Sequence, residues 1–209
     1  MTETAGPTIA DAKRQATVDV ILAAARRLLL ARGLDVTMDD IAEEAGVSRR
    51  TLFRHFESRE RLIAESLEVG IQLYGELLPS FEGGWETWLR GVCDAAHEMQ
   101  AGYGPGYWEL TSRTDLPPEI AAVEGRRRTR RHEAMARIAG KLWREAGGDG
   151  DPPAIVVATV GAHLSARFTA AVLHDVGQSW RTAADLAYAA IADVLERECG
   201  GRSARRPLT

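Results

Sequence analysis

Cysteines, long apolar runs and strand-like alternation are all scarce in this 209-residue sequence. The two cysteines, Cys93 and Cys199, lie far apart and fit no Cys-x-x-Cys or Cys/His spacing, so neither a disulfide framework nor a metal site is predicted. No apolar run approaches the length that spans a bilayer, and the first residues contain no apolar leader segment. We therefore predict a cytoplasmic chain with no membrane partner, metal or cofactor.

Catalytic signatures are also missing. The sequence contains no nucleophile elbow, no HExxH helix and no phosphate-binding loop, and its "GGDGD" stretch lacks the later glutamate of a calcium loop. We therefore predict that the protein is not an enzyme. With 30 acidic against 26 basic residues the chain is mildly acidic, so any site for an acidic partner must be local.

Helical periodicity is what the sequence does contain. Apolar residues recur every three or four positions and Pro/Gly clusters fall between the periodic segments, which predicts an all-α fold. The predicted helices cover Lys13–Arg32, Thr37–Ala45, a short segment after Ser48, Ser58–Leu78, Trp85–Gln100, Tyr107–Arg113, Pro118–Ala146, Pro153–Asp175 and Ser179–Glu198.

The stretch "TMDDIAEEAGVSRRTLFRHFESRERL" from Thr37 to Leu62 contains two closely spaced helix-start signals. Thr37 with Asp40 forms a short version of the capping box, and Ser48 repeats the start signal. Between them, Gly46 suits the left-handed turn that ends a helix. Two short helices joined by a tight glycine turn predict a helix-turn-helix.

The second short helix carries the candidate contacts with DNA. Its apolar positions, Leu52 and Phe56, can pack against the first helix, whereas Arg49 and Arg50 are of the residue type that bonds guanine edges bidentately. A solvated helix face is the ordinary explanation of an arginine cluster, but the coincidence with two caps and a turn glycine favours DNA. Contacts with the flanking phosphates are predicted for Thr37, Ser48, Thr51, Arg54, His55 and Arg59.

This stretch resembles the signature of the TetR family of transcriptional regulators, approximately T-x-x-x-I-A-x-x-A-G-V-S-x-x-T-L-Y-x-H-F-x-x-K-x-x-L. The resemblance extends over about Lys13–Leu67. Phe53 replaces the family's usual tyrosine and Arg59 its usual lysine; because both commonly contact phosphates, the resemblance implies that Phe53 loses one contact and Arg59 keeps its own. The matching residues are Thr37, Ile41, Ala42, Ala45, Gly46, Val47, Ser48, Thr51, Leu52, His55, Phe56 and Leu62.

The resemblance also implies an N-terminal three-helix helix-turn-helix domain followed by a larger helical domain that binds an effector and dimerises. The expected boundaries are 1–12 for a flexible arm, 13–57 for DNA binding, 58–198 for ligand binding and dimerisation including the connecting helix, and 199–209 for a flexible tail. The resemblance further implies a repressor, which binds a palindromic operator as a homodimer and is released by a small-molecule effector. The alternative is a ligand-independent or architectural DNA-binding protein, which a filled C-terminal core would favour.

The residues themselves support a dimer interface modestly. Alanines recur every four residues along one predicted helix, which lets another helix approach closely, and the last helix offers an apolar face. An intramolecular core is the alternative explanation of both patterns. The predicted interface consists of Ala158, Ala162, Ala166, Ala170, Leu186, Ala187, Ala190, Ile191 and Val194.

Aromatic residues in the middle of the chain suggest an effector site, although ordinary core packing is the better explanation of most of them. His97 and His163 are each expected to be hydrogen-bonded structural histidines, with a pocket role as the alternative. The basic run "EGRRRTRRHE", Glu124–Glu133, is predicted to form a solvated helix face. The ligand-binding candidates are Trp85, Trp88, Tyr103, Tyr107, Trp108 and His163.

Overall fold

The structure, a computed structural model, describes residues 8–75 and 79–203. These residues form helices and no β-strand, which confirms the predicted all-α fold with an N-terminal helix-turn-helix. A 3-10 turn, Gly33–Asp35, follows the first helix, and a π-helix, Ala171–Asp175, follows the ninth. The α-helices are α1 (Ile9–Arg32), α2 (Met38–Glu44), α3 (Arg49–His55), α4 (Arg59–Gly75), α5 (Trp85–Ala101), α6 (Pro105–Ser112), α7 (Pro118–Glu145), α8 (Ala154–His163), α9 (Ala166–Ala170) and α10 (Trp180–Ser203).

Helix α1 begins at Ile9, before the start predicted at Lys13. Its first turn is fixed by a capping box, in which the Asp11 backbone N–H donates to Thr8 Oγ1 (3.2 Å) and the Thr8 N–H donates to the Asp11 carboxylate (3.1 Å). The predicted start was wrong because it relied on apolar periodicity, which begins only after this polar turn. At the other end Gly33 has φ +74°, a conformation that favours glycine, and the predicted end at Arg32 is confirmed.

Two further helix ends bear on the sequence expectations. Helix α10 continues to Ser203, so the beginning of the predicted tail is helical, since a glycine such as Gly200 costs a helix only about 1 kcal/mol. Residues 204–209 lie outside the described part of the chain, as do residues 1–7 of the predicted arm and the predicted end of α4 at Leu78.

The chain divides into two compact units. The first unit comprises Met1–Leu73 and Tyr103–Arg127. One hydrophobic cluster joins α1, α2 and α3 around Ile21, Ile41 and Leu52. Another joins α1, α4, α6 and the start of α7, with Leu29, Ile63, Leu110 and Ile120 among its buried residues. The first unit therefore contains more than the helix-turn-helix, and the domain boundaries predicted from the sequence stay predictions.

The second unit comprises Tyr74–Gly102 and Arg128–Thr209. Its core is formed by side chains from α5, α7, α8 and α10, and the largest contact between elements is that of α10 with α5. Leu89, Trp143 and Ile191 are fully buried there. Ridges of apolar side chains on long helices thus hold this unit together by ordinary helix packing.

The predicted helix Pro153–Asp175 is wrong, because the chain breaks into α8 and α9 at Leu164–Ser165. Ser165 acts as a new N-cap, and its Oγ accepts a hydrogen bond from the Phe168 backbone N–H at 3.1 Å. The two helical segments are bent by 49°. The alanine series therefore does not run along one helix: Ala158 and Ala162 lie exposed on α8, while Ala166 and Ala170 lie on α9, buried and half-buried respectively.

Among the described residues, no single helix is long and apolar enough to cross a membrane. The bent pair Ala154–His163 and Ala166–Asp175 passes that test only when its two segments are taken together.

Candidate nucleic-acid interface

Helix α2 starts at the capping box that the sequence predicts. The Asp40 backbone N–H donates to Thr37 Oγ1 at 3.2 Å, and the Asp40 carboxylate accepts from the Thr37 N–H at 2.8 Å. Hydrogen bonds from Thr37, assisted by Arg32, lower the pKa of Asp40 to about 2. The carboxylate is therefore ionised at neutral pH and fixes the entry into the first short helix.

The turn between α2 and α3 is built from local signals. Gly46 has φ +65°, which a residue with a side chain adopts only at a cost. The Val47 N–H donates to the Ala42 carbonyl at 3.0 Å and closes the end of α2. Ser48 then caps α3, where its Oγ accepts from the Thr51 N–H at 3.1 Å. Both short helices are thus capped at their N-termini.

Packing fixes which face of α3 is turned outward. Leu52 is fully buried and Phe56 almost so, and both belong to the cluster that joins α3 to α1 and α2. Arg49, Arg50 and Arg54 are exposed. The short helix consequently presents a cationic face on a rigid support, as recognition of DNA requires.

The arginines on that face differ in their surroundings. Arg49 forms an exposed ion pair with Asp39 at 3.0 Å, and its guanidinium lies 5.4 Å from the centroid of the Phe53 ring. Phe53 itself is 44% exposed. Arg50 and Arg54, by contrast, make no ion pair with the described residues. We infer that these two are the least restrained cationic side chains of α3.

The residues predicted to contact phosphates differ in exposure and in their intramolecular partners. Thr37 and Ser48 stay exposed while their hydroxyls cap helices. The half-buried Arg59 is engaged within the first unit, since its Nε donates to the Val36 carbonyl and its Nη1 lies 2.9 Å from Glu60. The Arg59 side chain would have to leave these partners, at least in part, to reach a phosphate.

His55 lies at the end of α3 with its Nε2 atom buried and without a hydrogen-bond partner among the described residues. Burial lowers the pKa of His55, and the positive charges of Arg54 and Arg14 lower it further. At neutral pH the imidazole is therefore uncharged, and it would act on DNA as a hydrogen-bonding group rather than as a cation.

An open groove of about 460 Å³ lies beside this region in the first unit. It contains both cationic and anionic side chains, so its charge does not favour one class of ligand. The groove is lined by Leu34, Asp35, Val36, Thr37, Arg59, Arg113, Asp115 and Pro117.

The predicted effector residues fall into different units. Tyr103, Tyr107 and Trp108 form an aromatic cluster in the first unit, with the tyrosine rings stacked at 4.0 Å between centroids and Trp108 5.0 Å from Tyr107. Trp85 and Trp88 belong to α5 of the second unit. The six candidates are therefore not members of one compact unit, and their ligand role stays a prediction.

His163 and Trp88 are each occupied within the second unit. His163 Nδ1 lies 2.9 Å from the Thr159 carbonyl and its ring 5.0 Å from that of Phe168. Trp88 is buried and donates from Nε1 to the Pro79 carbonyl at 2.9 Å. Both thus have structural contacts, as the sequence analysis expected for His163 and as core packing explains for Trp88.

Two sets of buried polar contacts were missed by the sequence-based prediction. The stretch Glu124–Glu133 is not simply a solvated face, because Glu124 is buried and accepts hydrogen bonds from Arg127. The available signal was helical spacing, which places Glu124 four residues after the buried Ile120 and Arg127 four residues after the buried Val123. In the second unit, His97 is a hydrogen-bonded buried histidine as predicted, but its partner Thr169, which in turn donates to Gln100, was missed.

The predicted dimer residues on α10 have unequal exposure. Ala187, Ile191 and Val194 are buried in the core of their own chain, whereas Leu186 is half-exposed and Ala190 partly buried. On α8, the exposed Ala158 and Ala162 are accompanied by Ile155, whose side chain is half-exposed as well. Only the exposed members of the predicted set are available to a partner.

A capped helix-turn-helix with outward arginines defines a DNA-binding regulatory protein. Residues 21–66 match the sequence model of the family described as bacterial regulatory proteins, tetR family. The matched segment, which contains the helix-turn-helix, is thus similar to the DNA-binding part of TetR-family transcriptional regulators. No functionally curated protein has a significantly similar sequence.

Solved structures share the fold along most of the chain. A candidate transcriptional regulator from Pseudomonas aeruginosa PAO1 superimposes with a TM-score of 0.65 at 15% identity, covering 90% of this chain and 92% of that one. NalD, the secondary repressor of the MexAB-OprM multidrug efflux pump in Pseudomonas aeruginosa, gives 0.58 at 18% identity, with 87% and 96% covered. A TetR transcriptional regulator from Rhodococcus sp. RHA1 gives 0.50 at 18% identity, with 88% and 97% covered.

Proposed function

We propose that this protein is a ligand-responsive transcriptional repressor, not an enzyme, that acts in the cytoplasm. As a homodimer it binds a palindromic operator and leaves it when a small-molecule effector binds. The observation that carries the proposal is the outward cationic face of α3, held in place by the caps at Thr37 and Ser48 and by the buried Leu52. NalD, which has the same fold, is a repressor.

Base recognition is assigned to the start of α3. An α-helix fits the major groove, and an arginine there can donate two hydrogen bonds to the O6 and N7 atoms of guanine. Arg50 is exposed and makes no ion pair with the described residues, so it enters the groove without losing an intramolecular partner. Arg49 must break its ion pair with Asp39 before it can bind DNA. The cost in free energy is small, because exposed ion pairs contribute about 1 kcal/mol or less.

A homodimer supplies the second copy of α3 that a palindrome needs. Two-fold symmetry places equivalent recognition helices about 34–36 Å apart, in successive major grooves of one face of the duplex. Support for self-association comes from the half-exposed Ile155 on α8 and Leu186 on α10, two helices that pack against each other within the second unit. Both side chains are large and apolar, as the core of a dimer interface requires.

We predict that Arg50→Ala lowers affinity for the selected operator by about 1–3 kcal/mol and relaxes the preference at one base position per half-site. The operator would first be selected from random duplexes, and binding would then be measured by fluorescence anisotropy at several salt concentrations. Arg61→Ala is the matched control, because Arg61 is exposed but pairs with Glu57 and Glu65. Equal losses on operator and random DNA would contradict a base contact by Arg50.

The effector response has a separate test. If a ligand lowers operator affinity by a given factor, operator DNA must lower ligand affinity by the same factor, because the two equilibria are linked. We expect a factor of about 5–150, corresponding to 1–3 kcal/mol of coupling. A ligand would first be found by thermal-shift screening. Its affinity would then be measured by calorimetric titration with and without operator duplex, and the ratio of the two affinities is the coupling factor. Identical ligand affinities would leave a ligand-independent DNA-binding protein as the better description.

A further inference from the structure

A buried polar network joins α5 to α9 in the second unit. His97 Nδ1 lies 2.7 Å from Thr169 Oγ1, which is also hydrogen-bonded to Gln100 Oε1, and Gln100 Nε2 lies 3.1 Å from the Leu164 carbonyl oxygen. The three polar side chains are almost completely buried, with His97 at 0% exposure. The network ends where α8 breaks, because Leu164 is the residue that follows α8.

The donor and acceptor of each hydrogen bond in this network can be assigned by starting from the Leu164 carbonyl. The Leu164 carbonyl can only accept a hydrogen bond, so the amide group of Gln100 must turn its nitrogen toward Leu164 and its oxygen toward Thr169. That amide oxygen also can only accept. Thr169 therefore uses its single hydroxyl proton to donate to Gln100.

The tautomer of His97 is then determined. Because the Thr169 hydroxyl has already donated its proton, it must accept from His97, and the ring proton lies on Nδ1. Burial lowers the pKa of His97 to about 4, and His163 contributes in the same direction, so the imidazole is neutral near pH 7. His97 Nε2 consequently carries a lone pair and acts as a hydrogen-bond acceptor.

That acceptor has no hydrogen-bond partner among the described residues, although it is buried. An unsatisfied buried acceptor is costly, and native proteins seldom leave one without a ligand or ordered water. The Phe168 ring lies 5.9 Å from the His97 ring between centroids and supplies an apolar aromatic neighbour. Beyond α9 the backbone forms the π-helix Ala171–Asp175, a form that is frequent at functional sites.

We propose that His97 Nε2 binds the hydroxyl or N–H group of a small aromatic effector that packs against Phe168. This proposal rests on the ligand response proposed above and names the chemistry of that ligand. A neutral acceptor in an apolar setting selects a ligand with a hydrogen-bond donor, whereas carboxylates and phosphates offer only acceptors and negative charge. Phenols and indoles have the required combination of an aromatic ring and one donor.

The test uses matched probes that differ in the donor alone. Phenol is compared with anisole, and indole with 1-methylindole, by titration into the full-length protein while the ¹⁵N resonance of His97 Nε2 is followed by NMR. We expect the donor member of at least one pair to shift that resonance and to bind about five- to tenfold more tightly than its methylated partner. In His97→Phe, which keeps an aromatic ring but has no acceptor, this preference should disappear.

Three results would overturn the proposal. One is equal affinity within both pairs, and another is a donor preference that survives in His97→Phe, which would place the probes elsewhere. The third is a free-protein Nε2 resonance that already reports a hydrogen bond and that no probe moves, as ordered water alone would give. The NMR titrations of the wild-type protein remain decisive if His97→Phe fails to fold, and operator selection tests the proposed regulatory function independently.

Discussion

Replacing Arg127 with methionine is expected to lower the free energy of unfolding by about 3–5 kcal/mol, because it leaves a buried carboxylate without its main counter-charge. Glu124 is only 2% exposed, and its two oxygens accept from Arg127 Nε and Nη2 at 2.6 and 2.7 Å. Arg127 Nη1 also donates to the Tyr107 hydroxyl at 3.1 Å. The substitution thus removes several charge-assisted hydrogen bonds at once.

The neighbouring residue provides the control for this experiment. Arg126 pairs with Glu68 at 3.2 Å, but its side chain is about half-exposed, so Arg126→Met should cost no more than about 1 kcal/mol. Urea denaturation followed by circular dichroism gives both values. Because the cost arises from the hydrogen bonds and the counter-charge that the buried Glu124 carboxylate loses, the double variant Glu124→Leu/Arg127→Met should recover most of the stability. Equal losses for Arg126→Met and Arg127→Met would mean that the Glu124 pair is not effectively buried.

The helix-turn-helix could be predicted from the sequence because its signals are local. The side chains of Thr37 and Ser48 cap helix N-termini by accepting hydrogen bonds from backbone N–H groups three residues away. Gly46 forms the turn because it adopts a positive φ angle. None of these signals depends on where the rest of the chain lies. The structure reproduces each of them, including the inward positions of Leu52 and Phe56.

Features that depend on distant segments were missed or wrong. Ser165 lies inside an apolar run, where its hydroxyl could equally bond within a continuous helix, and only the structure reveals that it caps a new one. The hydrogen bond from Arg59 to the Val36 carbonyl was missed because it depends on the fold, and the phosphate contact of Arg59 stays a prediction. The predicted effector residues were chosen because they are aromatic and lie in the middle of the sequence. Neither property predicts which of the two compact units contains a given side chain.

The packing of α6 against α1 is another contact that sequence periodicity could not predict. A Cβ atom at Gly106 would stand 2.1 Å from both the Gly33 nitrogen and the Leu29 carbonyl oxygen. These are the atoms of the hydrogen bond that ends α1, in which the Gly33 N–H donates to Leu29. The missing side chain at Gly106 therefore allows the two helices to approach at this point.

We predict that Gly106→Ala lowers the free energy of unfolding by about 3 kcal/mol or more, because backbone atoms cannot rotate away from the added methyl group and α6 must move. Gly125→Ala is the matched control: Gly125 also lies within a helix, and among the described residues no heavy atom beyond its chain neighbours and its own helix backbone lies within 4 Å of the added Cβ. There, alanine should stabilise the protein by about 0.5–1 kcal/mol through its higher helix propensity. Urea denaturation measures both effects, and similar values for the two variants would contradict the close α1–α6 contact.

Because α1 also supplies Ile21 and Leu22 to the core of the helix-turn-helix, operator affinity of the folded Gly106→Ala protein should fall as well, whereas Gly125→Ala should retain it.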